Sequence, residues 1–78
     1  MRIHLLLFAL YRDITGVGEL DVEVADGLDA GGAVAALRAS DVRFAALPER
    51  PVVAINREYA ELEAALRDGD ELALLPPV

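Results

Sequence analysis

Cysteine is absent from these 78 residues, and several kinds of chemistry go with it. There is no disulfide framework, no thiolate metal site and no thiol nucleophile. The single histidine, His4, would leave a zinc site dependent on carboxylates, a poor ligand set for that ion. Lysine is also missing: all seven basic residues are arginines. A genome rich in arginine and alanine codons would produce this, and so would a protein that avoids becoming an acyl acceptor itself. No apolar run approaches the ~18 residues of a membrane span. The start, MRIHLLLFALYRD, joins a basic residue to an apolar stretch, but charges follow at once and no small-residue cleavage site closes it. It reads as a first strand, and the protein as cytoplasmic.

Fourteen acids against seven arginines give a net charge of −7. Such a surface repels phosphate backbones and anionic lipids, so neither nucleic acid nor membrane is an expected partner. A partner with a basic groove fits better, although an acidic surface also serves plain solubility. The length sets the expectation of one domain over residues 1–78, near the lower limit for a self-sufficient core. A hydrophobic fraction of 55% makes folding without staples feasible.

Residues 2–8, RIHLLLF, form an expected central strand with Ile3, Leu5 and Leu7 on one face and Arg2, His4, Leu6 and Phe8 on the other. A helical turn over 9–15 follows, closed by Gly16 in the left-handed conformation. ELDVEV, residues 19–24, alternates Leu20, Val22 and Val24 with three acids and is the clearest strand. It should pair antiparallel with the first. Asp29 caps a helix over about residues 30–40, whose Ala30, Ala33, Val34 and Leu37 fall at i, i+3, i+4 and i+7. Gly31 and Gly32 are no phosphate loop, because neither GxGxxG nor a following Lys-Ser/Thr pair is present. Residues 44–51 are irregular and 51–56, PVVAIN, make a third strand. A short strand or turn is expected around Tyr59, one helical turn at 62–66, and a tight turn at Asp68, Gly69 and Asp70. The pattern is an α+β roll: a mixed sheet of four to five strands on one main helix, first and last strands parallel neighbours at its centre.

The ending is the most telling segment. Leu72 to Leu75 form a last apolar strand, and Pro76 and Pro77 stop it, since proline has no N–H to give to a sheet. The tail to Val78 then projects as a stiff arm, or frays as termini commonly do. With parallel central strands, Phe8 and Leu75 share one end and one outward face, Leu6 and Ala73 extend it, and Tyr59 borders it. An apolar patch beside a projecting terminus is a surface for a partner to clamp. Arg12 and Asp13 are expected to cap and solvate a helical turn, or to touch a second partner. Asn56 is expected to fix a turn through side-chain bonding, and His4 to be surface filler. No nucleophile–base or carboxylate pair has an arrangement that catalysis demands, so no catalytic residue is assigned and the domain is not expected to act alone as an enzyme.

FALYRDITG (8–16), VVAINREYA (52–60) and DGDELALLPPV (68–78), in this order, resemble the MoaD/ThiS family of ubiquitin-like sulfur carriers. The FAxxR start and the Pro-Pro ending look more like the MoaD branch than the ThiS branch. The resemblance spans essentially the whole chain and implies a β-grasp fold with a projecting C-terminal tail. It implies a small subunit of molybdopterin synthase with no bound cofactor. A MoeB-type activating enzyme would adenylate its C-terminal glycine with ATP, and the acyl group would become a thiocarboxylate. A MoaE-type large subunit would then receive the tail, and the sulfur would build the dithiolene of molybdopterin. Phe8, Tyr59, Leu75, Pro76, Pro77 and Val78 match the family's partner-facing positions. The family's Gly-Gly end, whose missing Cβ atoms let a tail thread a narrow channel, would follow Val78 and is not among these residues. A sequence that omits the tail is the favoured reading; a non-carrying paralogue and a different maturation stand beside it. A ubiquitin-like protein modifier, a non-carrying binding module and a ThiS-like carrier for thiazole synthesis are the alternative functions.

Overall fold

The first strand sets the architecture. In the computed structural model, which describes residues 1–77, β1 (Arg2–Leu7) alternates so that Ile3, Leu5 and Leu7 are at most 2% exposed. β2 (Glu19–Glu23) runs antiparallel beside it, Ile3 opposite Val22 and Leu5 opposite Leu20. β5 (Glu71–Leu75) runs parallel along its other edge, Leu5 opposite Leu72 and Leu7 opposite Leu74. β3 (Val52–Ile55) and β4 (Glu58–Ala60) complete a five-stranded mixed sheet in the order β2-β1-β5-β3-β4. The expected parallel pairing of first and last strands holds, and both lie inside the sheet.

One long helix covers the inner face. α2 (Ala30–Ser40) has the expected bounds because Asp29 stays extended and its Oδ1 accepts the Gly32 N–H at 2.6 Å, satisfying an otherwise orphaned donor. Ala33, Val34 and Leu37 belong to one buried cluster with Leu5, Leu72 and Leu74, and Phe44 from a short 3-10 turn (Val42–Phe44) is a fully buried member of it. The shorter α1 (Ala9–Thr15) buries Tyr11 and Thr15 and ends at Gly16, whose φ of 74° lets its N–H reach Arg12 O at 2.8 Å.

Strand ends shift by a residue for local reasons. β1 stops before Phe8, which becomes the N-cap of α1, and β3 starts after Pro51, which has no ladder donor. The expected helical turn at 62–66 is a correction. Leu62 and Leu66 have helical spacing, but the backbone there pairs with the start of α2 instead: Gly31 N–H donates to Leu62 O at 2.8 Å and Ala30 N–H to Ala64 O at 3.0 Å. Leu66 N–H donates to Leu28 O, and Asp29 and Ala65 form an isolated bridge. Tertiary partners outcompeted local propensity.

The acidic turn before β5 acts as a clasp. Gly69, at φ 86°, donates its N–H to Arg2 O, while the Arg2 N–H donates to Asp68 Oδ1 at 2.7 Å. Asp70 Oδ2 accepts from Arg67 N–H and its carbonyl accepts from His4 N–H. Asn56 joins from the β3–β4 turn, where Asn56 and Arg57 both have positive φ (51° and 71°), as a two-residue type I′ hairpin requires. Its Nδ2 donates to Asp70 Oδ1 at 2.9 Å and its Oδ1 accepts the Glu71 N–H at 3.0 Å. The side chain thus ties one turn to another, beyond the local bonding expected of it.

On the outer face, β1 and β2 meet through charge. Arg2 pairs with Glu23 at 3.2 Å, and His4 places Nδ1 2.7 Å from Asp21 Oδ1 and Nε2 3.2 Å from Glu19 Oε2, so that the ring donates to both carboxylates when it is protonated. These bonds hold the imidazole above its ordinary 6.5, Asp21 first and Glu19 next, and hold the Asp21 carboxyl below its ordinary 3.8. His4 is a cross-strand tie, not surface filler.

Two outcomes test these ties. Asn56→Gly keeps the left-handed backbone and loses both side-chain bonds, and should cost about 1 kcal/mol. Asn56→Ala adds backbone strain and should cost about 1 kcal/mol more in urea denaturation. For His4, a raised folded pKa means stability fully present below 6.5 and lost as pH rises through the raised value. For Asp21 the contribution is present above 3.8 and lost as pH falls through the lowered one. At low salt the urea midpoint should therefore fall as pH rises from 6.5 through the raised value, by more than in His4→Gln, although the exposed pair makes the effect small.

Candidate partner-docking face

The sheet has one covered face and one bare one. Outward residues of β1, β5 and β3 come into rows by register: Leu6 beside Ala73 beside Ala54, and Leu75 beside Val52. Phe8, one residue past Leu7, reaches the level of Leu75. Tyr59 on β4 stands opposite Ala54. The alanines are small and nearly buried, so the taller side chains around them wall a shallow groove of about 440 Å³. Leu6, Phe8, Ala54, Tyr59, Ala73 and Leu75 line it, with Arg57 and Glu71 at one side.

Phe8 and Leu75, expected from the sequence to share one outward patch with Leu6 and Ala73 and with Tyr59 at its border, all line this one groove. Phe8 is 43% exposed and Tyr59 81%, far more than their apolar area would favour in isolation. Pro76 and Pro77 continue directly from its Leu75 wall, Pro76 half-buried and Pro77 exposed. Val78 lies outside the described residues. Arg12 and Asp13 are exposed on α1, where the carbonyl of Arg12 closes the helix end.

Sequence reasoning missed Val52, Ala54, Arg57 and Glu71. Period-2 alternation could have placed Glu71 with Ala73 and Leu75, and Val52 with Ala54. Arg57 had no such signal, because its position follows from the left-handed turn and from its 3.8 Å approach to Glu71. Acids rim the face along β2 and β5: Glu19, Asp21 and Glu71. The groove is therefore apolar at the end where the chain leaves the sheet and carries the Arg57–Glu71 ion pair toward the opposite end.

A second cleft, about 510 Å³, lies by α2 between Arg38, Arg50, Glu49, Glu63 and Asp29. Its charges are used within the fold. Arg38 donates to Leu47 O at 2.6 Å and lies 3.7 Å from Glu49, Arg50 lies 3.4 Å from Glu63, and the α2 amides are already bonded. The bare sheet face is the better candidate on physical grounds. Among the described residues no group of three or more His, Asp or Glu side chains is placed to hold a metal ion, and no helix is long and apolar enough to cross a membrane.

Known proteins share this design. The molybdopterin synthase sulfur carrier subunit of Chlamydomonas reinhardtii is 35% identical over 80 residues, covering 100% of this chain and 96% of that one. The crystal structure of SAMP1 from Haloferax volcanii superposes with a TM-score of 0.82 at 30% identity, covering 100% of this chain and 97% of that one. Subunit 1 and 2 of the molybdopterin-converting factor of Helicobacter pylori were solved as a complex. A chain of it matches with a TM-score of 0.70 at 22% identity, covering 100% of this chain and 96% of that one, a likeness of fold. The ubiquitin-like β-grasp architecture expected from the sequence is the one these structures share. The ThiS family profile matches residues 5–78, and the chain belongs to the ThiS family of sulfur carriers.

Proposed function

We propose that this chain is the sulfur-carrier small subunit of a molybdopterin synthase, working in the cytoplasm. The observation that carries the reading is the meeting of Phe8, Leu75 and Tyr59 in one apolar groove where the chain leaves the sheet toward Pro76 and Pro77. Full-length relatives named molybdopterin synthase sulfur carrier subunit support it. A MoaE-type large subunit would clamp the groove, bury the exposed aromatics and thereby aim the tail into its own active site. The acidic rim selects a partner with a basic surface, and complementary charge speeds such docking.

In this reading the chain supplies no catalytic group. A MoeB-type enzyme adenylates the C-terminal carboxyl with ATP, sulfur displaces AMP, and the resulting thiocarboxylate delivers its sulfur inside the large subunit. The carrier's own residues dock and position. Pro76 and Pro77 contribute stiffness: with φ fixed, the arm loses little entropy when it enters a channel.

A protein-modifier role is the second reading, favoured by the 30% identity to a structure described as H. volcanii small archaeal modifier protein 1. Mass spectrometry of the protein from its native source separates the two. Oxygen replaced by sulfur at the C-terminus marks the carrier; isopeptide bonds to lysines of other proteins mark the modifier.

Phe8→Asp should weaken binding to the MoaE-type subunit of the same organism by about tenfold or more in calorimetry, the size of a lost hot spot. The fold should survive, because Phe8 is a half-exposed surface residue, and far-UV circular dichroism checks this. Unchanged affinity would remove the groove from the interface.

A further inference from the structure

We infer that these residues are built to keep an activated C-terminal acyl group from being captured as an amide: among the 78 there is no lysine, and their one amine, at Met1, is tied down by Val24 and Asp26 at the far end of the sheet from the tail. The inference deepens the carrier reading and would hold equally for a modifier.

An activated C-terminal carboxyl is a mixed anhydride with AMP. Any free amine can attack its acyl carbon, forming a C–N bond while the C–O bond to AMP breaks, AMP leaves with the electron pair and the ammonium proton passes to water. The product is an amide, which does not reverse, so each such event would consume a carrier or crosslink two copies. Arginine does not supply this nucleophile, because its guanidinium stays protonated. Replacing every lysine by arginine keeps the basic charge and removes the hazard. Acyl groups passed to His4 or Tyr59 remain reactive esters or acyl-imidazoles and are not dead ends.

The remaining amine is controlled by structure. The Met1 ammonium donates to Val24 O and to Asp26 Oδ1, both at 2.7 Å, and lies 4.0 Å from Glu23. Val24 N–H donates to Met1 O, so the residue is locked into the end of the β1–β2 ladder. The hydrogen bond to Asp26 holds the group above the usual α-amino range, against a smaller opposing effect of desolvation. A protonated amine has no lone pair to attack with. Parallel pairing adds distance: β5 ends level with Phe8, about 23 Å from Met1 at ~3.3 Å per residue.

Acetyl phosphate, also an acyl–phosphate mixed anhydride, tests this on the intact folded protein at about pH 7.5, near the α-amino range. Acetylation at Met1 is followed by peptide mass spectrometry against the free peptide Met-Arg-Ile-His-Leu. The folded protein should react several-fold more slowly than the peptide. Asp26→Asn, at an exposed loop position, should accelerate it by about threefold or more, the modest size expected of a partly solvated ion pair. Arg12→Lys should be acetylated at residue 12 while Met1 stays protected, which shows that the reagent reaches an ordinary surface amine. Reaction of the wild type at the peptide's rate, or no acceleration in Asp26→Asn, overturns the inference. The reagent supplies the acyl group, so neither result depends on whether the chain carries sulfur.

Discussion

Parallel pairing of β1 with β5 is the constraint on which the rest depends. It joins the two ends of the chain through the middle of the sheet and puts Leu5 against Leu72 and Leu7 against Leu74 beneath α2. Parallel neighbours cannot be joined by a tight turn, so everything from α1 to the clasp at Asp68–Asp70 serves as their connection. The pairing also separates the two ends of the sheet. At one end Met1 and Arg2 meet Val24, Asp26 and Asp68; at the other Phe8 meets Leu75 and the exit of the tail. One register fixes both.

The two faces of the sheet carry different duties. Inward side chains form one buried cluster with α2 and Phe44, and close-packed interiors resist deformation. Outward side chains grade from apolar near the tail to charged near the clasp. In the proposed docking role such a platform would suit partner binding, since preorganisation lowers the cost of association. The small residues Ala54 and Ala73 matter as much as the large ones. They form the floor that lets Phe8, Leu75 and Tyr59 enclose a concavity.

Local pattern made much of the fold legible. β2 was readable because its acids and aliphatics alternate without a break, and α2 because Asp29 precedes an i, i+3, i+4, i+7 stripe. The segment at 62–66 misled for an equally physical reason. Leu62, Ala64, Ala65 and Leu66 suit a helix locally, yet the first amides of α2 need acceptors, and the carbonyls of Leu62 and Ala64 provide them. Such long-range exchange of backbone partners leaves no periodic mark. Asn56 was similarly readable as a turn residue, while its link to Asp70 and Glu71 was not.

By itself the sequence determined the apolar first and last strands, the capped helix, the proline stop, the absence of thiols and side-chain amines, and the family signature. These depend on short-range spacing or on composition, which a linear text preserves. Only the tertiary structure decided that Ala54 and Ala73 floor the patch of Phe8, Tyr59 and Leu75 into a groove, that His4 is claimed by Asp21 and Glu19, and that the Met1 amine is held by Asp26. Each of those joins residues 15 or more positions apart, and strand register alone brings them within reach.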